Sequence, residues 1–67
     1  MNGLKQFRKE KELSQLAMAR QMEITLSMYQ KVESGRARPS YAFMERLKRA
    51  FPDANIDALF FSHIRGG

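Results

Sequence analysis

Residues 13–40 read LSQLAMARQMEITLSMYQKVESGRARPS, and the rest of the chain takes its place around them. Ser14 is a good N-cap, because its hydroxyl can accept a backbone N–H that the first turn of a helix leaves free. Met18, Ala19 and Met22 then recur at i, i+1, i+4 and make one inward face, with Leu16 and Ala17 off it and Leu16 partly exposed. Met22-Glu23-Ile24 makes a turn. Thr25 caps the next helix, which runs to Glu33 or Ser34 and turns Tyr29, Val32 and part of Met28 inward. Gly35 can take the left-handed conformation that ends a helix. Pro39 keeps Arg38 extended, and Ser40 caps a further helix.

Outward from this stretch, Leu4, Phe7 and Arg8 fall at i, i+3, i+4 and place a first helix at about Gly3 to Lys11, with Lys5, Lys9 and Glu12 on other faces. Lys11-Glu12-Leu13 is the exit turn, although no glycine marks it. The helix capped by Ser40 is the fourth and covers Tyr41 to Phe51, with Phe43, Leu47, Ala50 and Phe51 facing in and Met44 beside them. Pro52-Asp53 ends it. Asn55 caps a fifth helix from Ile56 to about Ser62, which turns Ile56, Leu59 and Phe60 inward, and residues 62–67 are expected to fray. No segment alternates as a strand would. The expectation is an all-α bundle of five short helices, one domain over 1–67 with its core over about 4–61. The five Met and five Phe supply much of the core volume.

Twelve Lys and Arg stand against seven Asp and Glu, a net charge of +5. In so short a chain that favours a polyanionic partner. The chain has no Cys and one His, so neither disulfides nor a zinc site is expected. No apolar run reaches the length of a signal peptide or membrane span, and the expected location is cytoplasmic. The basic residues are spread over several helices, which argues against an amphipathic membrane binder. No Gly-rich phosphate loop is present, and His63, the one base titrating near neutrality, lies in the tail as a spectator. No enzyme activity, cofactor or metal is expected.

The helix pair with its link of about three residues has the spacing of a helix-turn-helix unit, in which the first helix braces the second and the second can enter a major groove. Plain bundles share that spacing. More specific is a string of residues: Leu4 and Arg8, Leu13-Ser14-Gln15, Ala19, Met22, Ile24-Thr25, Tyr29, Val32-Glu33, Gly35 and Arg36-Ala37-Arg38-Pro39-Ser40. Leu47, Ala50-Phe51 and Ile56-Asp57-Ala58-Leu59-Phe60 continue it. On these the chain resembles the Cro/repressor-like helix-turn-helix family of phage repressors and xenobiotic-response-type regulators. The run Tyr29–Ser40, YQKVESGRARPS, is the most specific part.

The resemblance implies a compact five-helix, lambda-repressor-like DNA-binding domain with helices two and three as the helix-turn-helix. It also implies a regulator, expected to be a repressor of prokaryotic or phage origin, that binds double-stranded operator DNA as a homodimer. Gln15 matches the phosphate-contacting glutamine at the start of the second helix. Thr25, Leu26, Ser27 and Lys31 match the positions that face base edges, with Met28 and Gln30 near the groove. Lys31 can donate to guanine, while Leu26 and the Thr25 methyl can pack on thymine methyls. Arg36 and Arg38 lie in a loop that tracks the phosphate backbone, and Tyr41 and Arg20 are further phosphate candidates. Arg8 and Glu33 match an internal ion pair that clamps the reading helix to the first helix. A charge on an inward face needs such a partner, since burying a lone charge is costly.

Two departures stand out. Glu23 occupies a turn position where the family often has glycine, so it either takes a positive φ or builds the turn differently. The reading edge is also poor in polar forks, because Leu26, Ser27 and Met28 offer one hydroxyl among them. Base preference would then rest on Lys31, thymine contacts and DNA shape. The rival reading is a protein-interaction module, such as the antitoxin of a toxin-antitoxin pair or an anti-repressor partner. Phe61 and Ile64, candidates for an exposed apolar patch, motivate that reading and equally a homodimer.

Overall fold

The computed structural model of the chain describes residues 3–61. The tail 62–67, with His63 and Ile64, lies outside the described residues, as do Met1 and Asn2. Among the described residues the elements are α1 (Leu4–Glu10), α2 (Gln15–Met22), α3 (Leu26–Glu33), α4 (Tyr41–Ala50) and α5 (Asp57–Phe61), with no strand. The all-α, five-helix architecture is the one expected.

Three helices start where a hydroxyl caps them. The Ser14, Thr25 and Ser40 hydroxyls accept from the backbone N–H groups of Ala17, Met28 and Phe43 at 3.0, 3.1 and 3.0 Å. Each satisfies a donor that the first turn cannot pair internally. Asn55 does the same before α5, where its Oδ1 accepts from Ala58 N–H at 3.1 Å. Gly3 precedes α1 without a side-chain cap. Its own N–H donates to the Leu59 carbonyl at 2.8 Å, which ties α1 to α5.

The ends hold the surprises. Glu12 and Glu23 both have positive φ, 57° and 59°. Glu23 therefore accepts the left-handed conformation and closes α2, with its N–H bonded to the Ala19 and Arg20 carbonyls. Glu12 does the same after α1, in a turn whose sequence carries no glycine to announce it. Gly35, at φ 87°, ends α3 as expected. Phe51 is the cap of α4 and not part of it.

The fifth element departs from the expected helix over Ile56 to about Ser62. It is a five-residue turn of π geometry, Asp57–Phe61. A π turn rotates less per residue than an α turn, so adjacent Leu59 and Phe60 stay close around the axis and both enter the core.

The core joins all five elements. Leu4, Met18, Met22, Tyr29, Val32 and Leu47 are fully buried or nearly so, and Ala19, Phe43, Phe51, Leu59 and Phe60 complete it. Ala54, from the loop after α4, is also fully buried. Tyr29 stacks on Phe43, which meets Phe60 edge-on at 6.3 Å, so one aromatic chain runs from α3 through α4 to α5. Met18 and Met22 serve as core fillers and the partly buried Met44 packs against the core, but Met28 does not. At 44% exposure it belongs to the surface, because α3 buries only the stripe through Tyr29 and Val32.

Candidate nucleic-acid interface

The exposed side of α3 is set by what its buried side needs. Tyr29 and Val32 are the buried residues of the helix, so Ser27, Met28, Gln30 and Lys31 are left on the outside, with Thr25 at the entrance. Leu26 is half-buried, so only part of its side chain is open to a partner. The Thr25 hydroxyl is engaged as the cap and presents its methyl and its own remaining hydrogen-bonding capacity.

Behind this edge lies a network centred on Glu33. Arg8 Nε donates to Glu33 Oε2 at 2.8 Å and Arg8 Nη2 donates to Oε1 at 3.4 Å. The Tyr29 hydroxyl donates to Oε2 at 2.7 Å and Gln15 Nε2 to Oε1 at 2.9 Å. Arg8 Nη1 also donates to the Leu13 carbonyl at 3.0 Å. The Arg8 and Glu33 side chains are only 14% and 6% exposed. Burial alone would push the Glu33 carboxyl up, but the bonds from Arg8, Tyr29 and Gln15 outweigh it and hold the pKa below the usual carboxylate value. The bond to Glu33 raises the Arg8 guanidinium further above its ordinary value. Burial, then the adjacent carboxylate, pushes the Tyr29 phenol above its usual range. The three side chains thus share one charge state, with Glu33 ionised, Arg8 protonated and Tyr29 neutral, and α1, α2 and α3 are pinned together by it.

Gln15, at the first position of α2, is half-buried and engaged from both sides. Its Nε2 faces Glu33, and its Oε1 accepts from Gln30 Nε2 at 3.1 Å. It retains one N–H for a further acceptor. Arg20, Arg36, Arg38 and Tyr41 are open to solvent to differing degrees, Tyr41 at 79%. The loop that carries Arg36 and Arg38 is anchored between them. Ala37 is half-buried against the core, and its N–H bonds to the Lys31 carbonyl at 3.1 Å. Its neighbours Arg36 and Arg38 therefore project from a fixed point.

Besides the bonds from Gln15 and Tyr29 to Glu33, sequence reasoning missed supports at Arg46 and Gln30. Arg46 of α4 donates to the Glu23 carbonyl at 3.0 Å and so ties α4 to the α2–α3 turn. Gln30, expected only near the groove, is bonded to α2 through Gln15. No local pattern announces either contact. Of the candidate patch, Phe61 is 38% exposed, and Ile64 lies outside the described residues. Among the described residues no group of His, Cys, Asp and Glu could hold a metal, and no helix is long and apolar enough to cross a membrane.

The sequence profile of a helix-turn-helix family of the Cro/C1 type matches residues 4–57, from the start of α1 into α5. No curated protein and no solved structure matches the chain.

Proposed function

The chain belongs to the Cro/C1-type helix-turn-helix family and is a DNA-binding regulator domain of lambda-repressor-like fold; from that premise we propose that it is a sequence-specific repressor which lays α3 in the major groove of an operator. The observation that carries this reading is the braced, solvent-facing edge of α3. Thr25, Ser27, Met28, Gln30 and Lys31 line one outer side, while the Arg8–Glu33 network and α2 hold the other. A rigid element loses less entropy on docking than a mobile one.

Phosphate contacts supply most of the affinity. Gln15 offers its remaining N–H, the N-terminus of α2 offers backbone N–H groups, and the exposed Arg36, Arg38, Arg20 and Tyr41 offer further phosphate donors. Base preference comes from Thr25, Leu26, Ser27 and Lys31. The exposed Phe61 favours a second copy of the chain as partner at the C-terminal end, giving a homodimer on a near-palindromic site. The regulator acts in the cytoplasm.

Binding to duplex DNA measured over a range of salt tests the mechanism. Affinity should fall steeply with salt, and Arg38→Ala should weaken all sequences alike and reduce the slope by about one unit. A flat salt dependence would overturn it. Sedimentation of the protein and of Phe61→Ser over a concentration range tests the dimer. A monomer unaffected by the change would remove that part of the proposal.

A further inference from the structure

The reading edge is short of polar forks in sequence, and the network behind it supplies one. An ionised carboxylate only accepts hydrogen bonds, so Glu33 compels Gln15 to turn its Nε2 inward. The Gln15 Oε1 must then face outward, and it accepts only from a donor. Gln30 accordingly turns its own Nε2 toward Gln15, at 3.1 Å. The charge on Glu33 thus orients two carboxamides in succession. Gln30 uses one N–H in this relay. Its second N–H and its Oε1 have no partner among the described residues, and the side chain is exposed on α3 beside Ser27 and Lys31.

We propose that Gln30 is a base-reading residue whose open carboxamide edge recognises an adenine, and that Gln15 is the positioning residue that fixes which way this edge points. This rests on the reading of α3 as the groove helix. An adjacent acceptor and donor match the major-groove edge of adenine, where N6 donates and N7 accepts. Guanine presents two acceptors there and cytosine a lone donor, so neither pairs with both atoms of the amide. Rotating the Gln30 amide to suit guanine would turn its oxygen onto the Gln15 oxygen, so the relay acts against the wrong base as well as for the right one.

The test is selection of bound sequences from random duplex DNA with the unmutated chain, Gln30→Ala, Gln30→Glu and Gln15→Ala, each checked for an unchanged helical spectrum and assayed well below its own melting temperature. The unmutated chain should show an adenine preferred roughly tenfold at one position of the site. Gln30→Ala should flatten that position alone. Gln30→Glu should move its preference to cytosine, whose N4 donates to a carboxylate. Gln15→Ala should blunt the same position and leave the relative weights elsewhere unchanged, which loss of a plain phosphate contact would not do. A motif unaltered by Gln30→Ala, or weakened alike at every position, would overturn the assignment of Gln30 while leaving the groove reading intact. No enriched motif with the unmutated chain would overturn both.

Discussion

Arg8–Glu33 and Lys11–Asp53 both begin at the C-terminal end of α1 and cross the sequence, the first to α3 and the second to the loop after α4. Their bond lengths are 2.8 and 2.6 Å, so length alone would rank the second higher. Their surroundings reverse that order. The first pair is nearly withdrawn from solvent, and its carboxylate takes further bonds from Tyr29 and Gln15. In the second, the Asp53 side chain is 63% exposed and that of Lys11 32%. The Lys11 bond holds the Asp53 carboxyl below its usual pKa, but water competes for both charges. The cost of losing a pair depends on the surroundings of the surviving partner: Glu33 would face protein, and Asp53 already faces water.

The largest effect is expected at Arg8. Arg8→Ala should destabilise the fold by about 3–5 kcal/mol, because it leaves a charge in a site that is only partly compensated. A thermal melt like that of the unmutated chain would show that the pair clamps nothing. Protonating Glu33 probes the same site without mutation. A carboxyl whose folded pKa is depressed contributes its full stability above its ordinary value, 4.5, and loses it as pH falls through the depressed folded value. Melting temperature should therefore drop on the acid side of 4.5, and Glu33→Gln should lack this part of the fall. Tyr29→Phe sharpens the account, since it removes one donor and retains the ring stacked on Phe43. Its expected cost is about 1.5–3 kcal/mol, the range for a hydrogen bond to a charged group. Asp53→Asn should leave the melt within the scatter of repeat measurements. A loss approaching that of Arg8→Ala would put the two pairs on one footing and end the comparison.

The same division between near and far explains how much was legible beforehand. The starts of α2, α3, α4 and α5 were readable because a cap acts within three residues of its own position, as Ser14, Thr25, Ser40 and Asn55 do. The buried stripes of α2 and α4 came from spacing, and the end of α3 came from Gly35. Spacing turned part of Met28 inward, and how much of it is covered was decided by the neighbouring helices. Glu12 was missed because a positive φ without glycine leaves no mark in the sequence, and the π turn of α5 because its winding answers to the core it enters. At the site, the outward placement of Lys31, Arg36 and Arg38 was implied by the family resemblance, and all three are exposed. The engagement of Gln15 with both Glu33 and Gln30 was not.

By itself, then, the sequence determined where helices begin, which faces are apolar, that the chain is basic, and the string of residues that placed it in its family. Those are local properties of capping, periodicity and residue type. Only the tertiary structure decided that Gln15 and Gln30 meet, that Arg46 holds the α2–α3 turn, that Ala54 is core, and that Lys11 pairs with Asp53. The physical reason is common to all four. A side-chain hydrogen bond or a buried atom is defined by what arrives from another segment, and that arrival is settled when α1, α2, α3 and α4 close on a shared core.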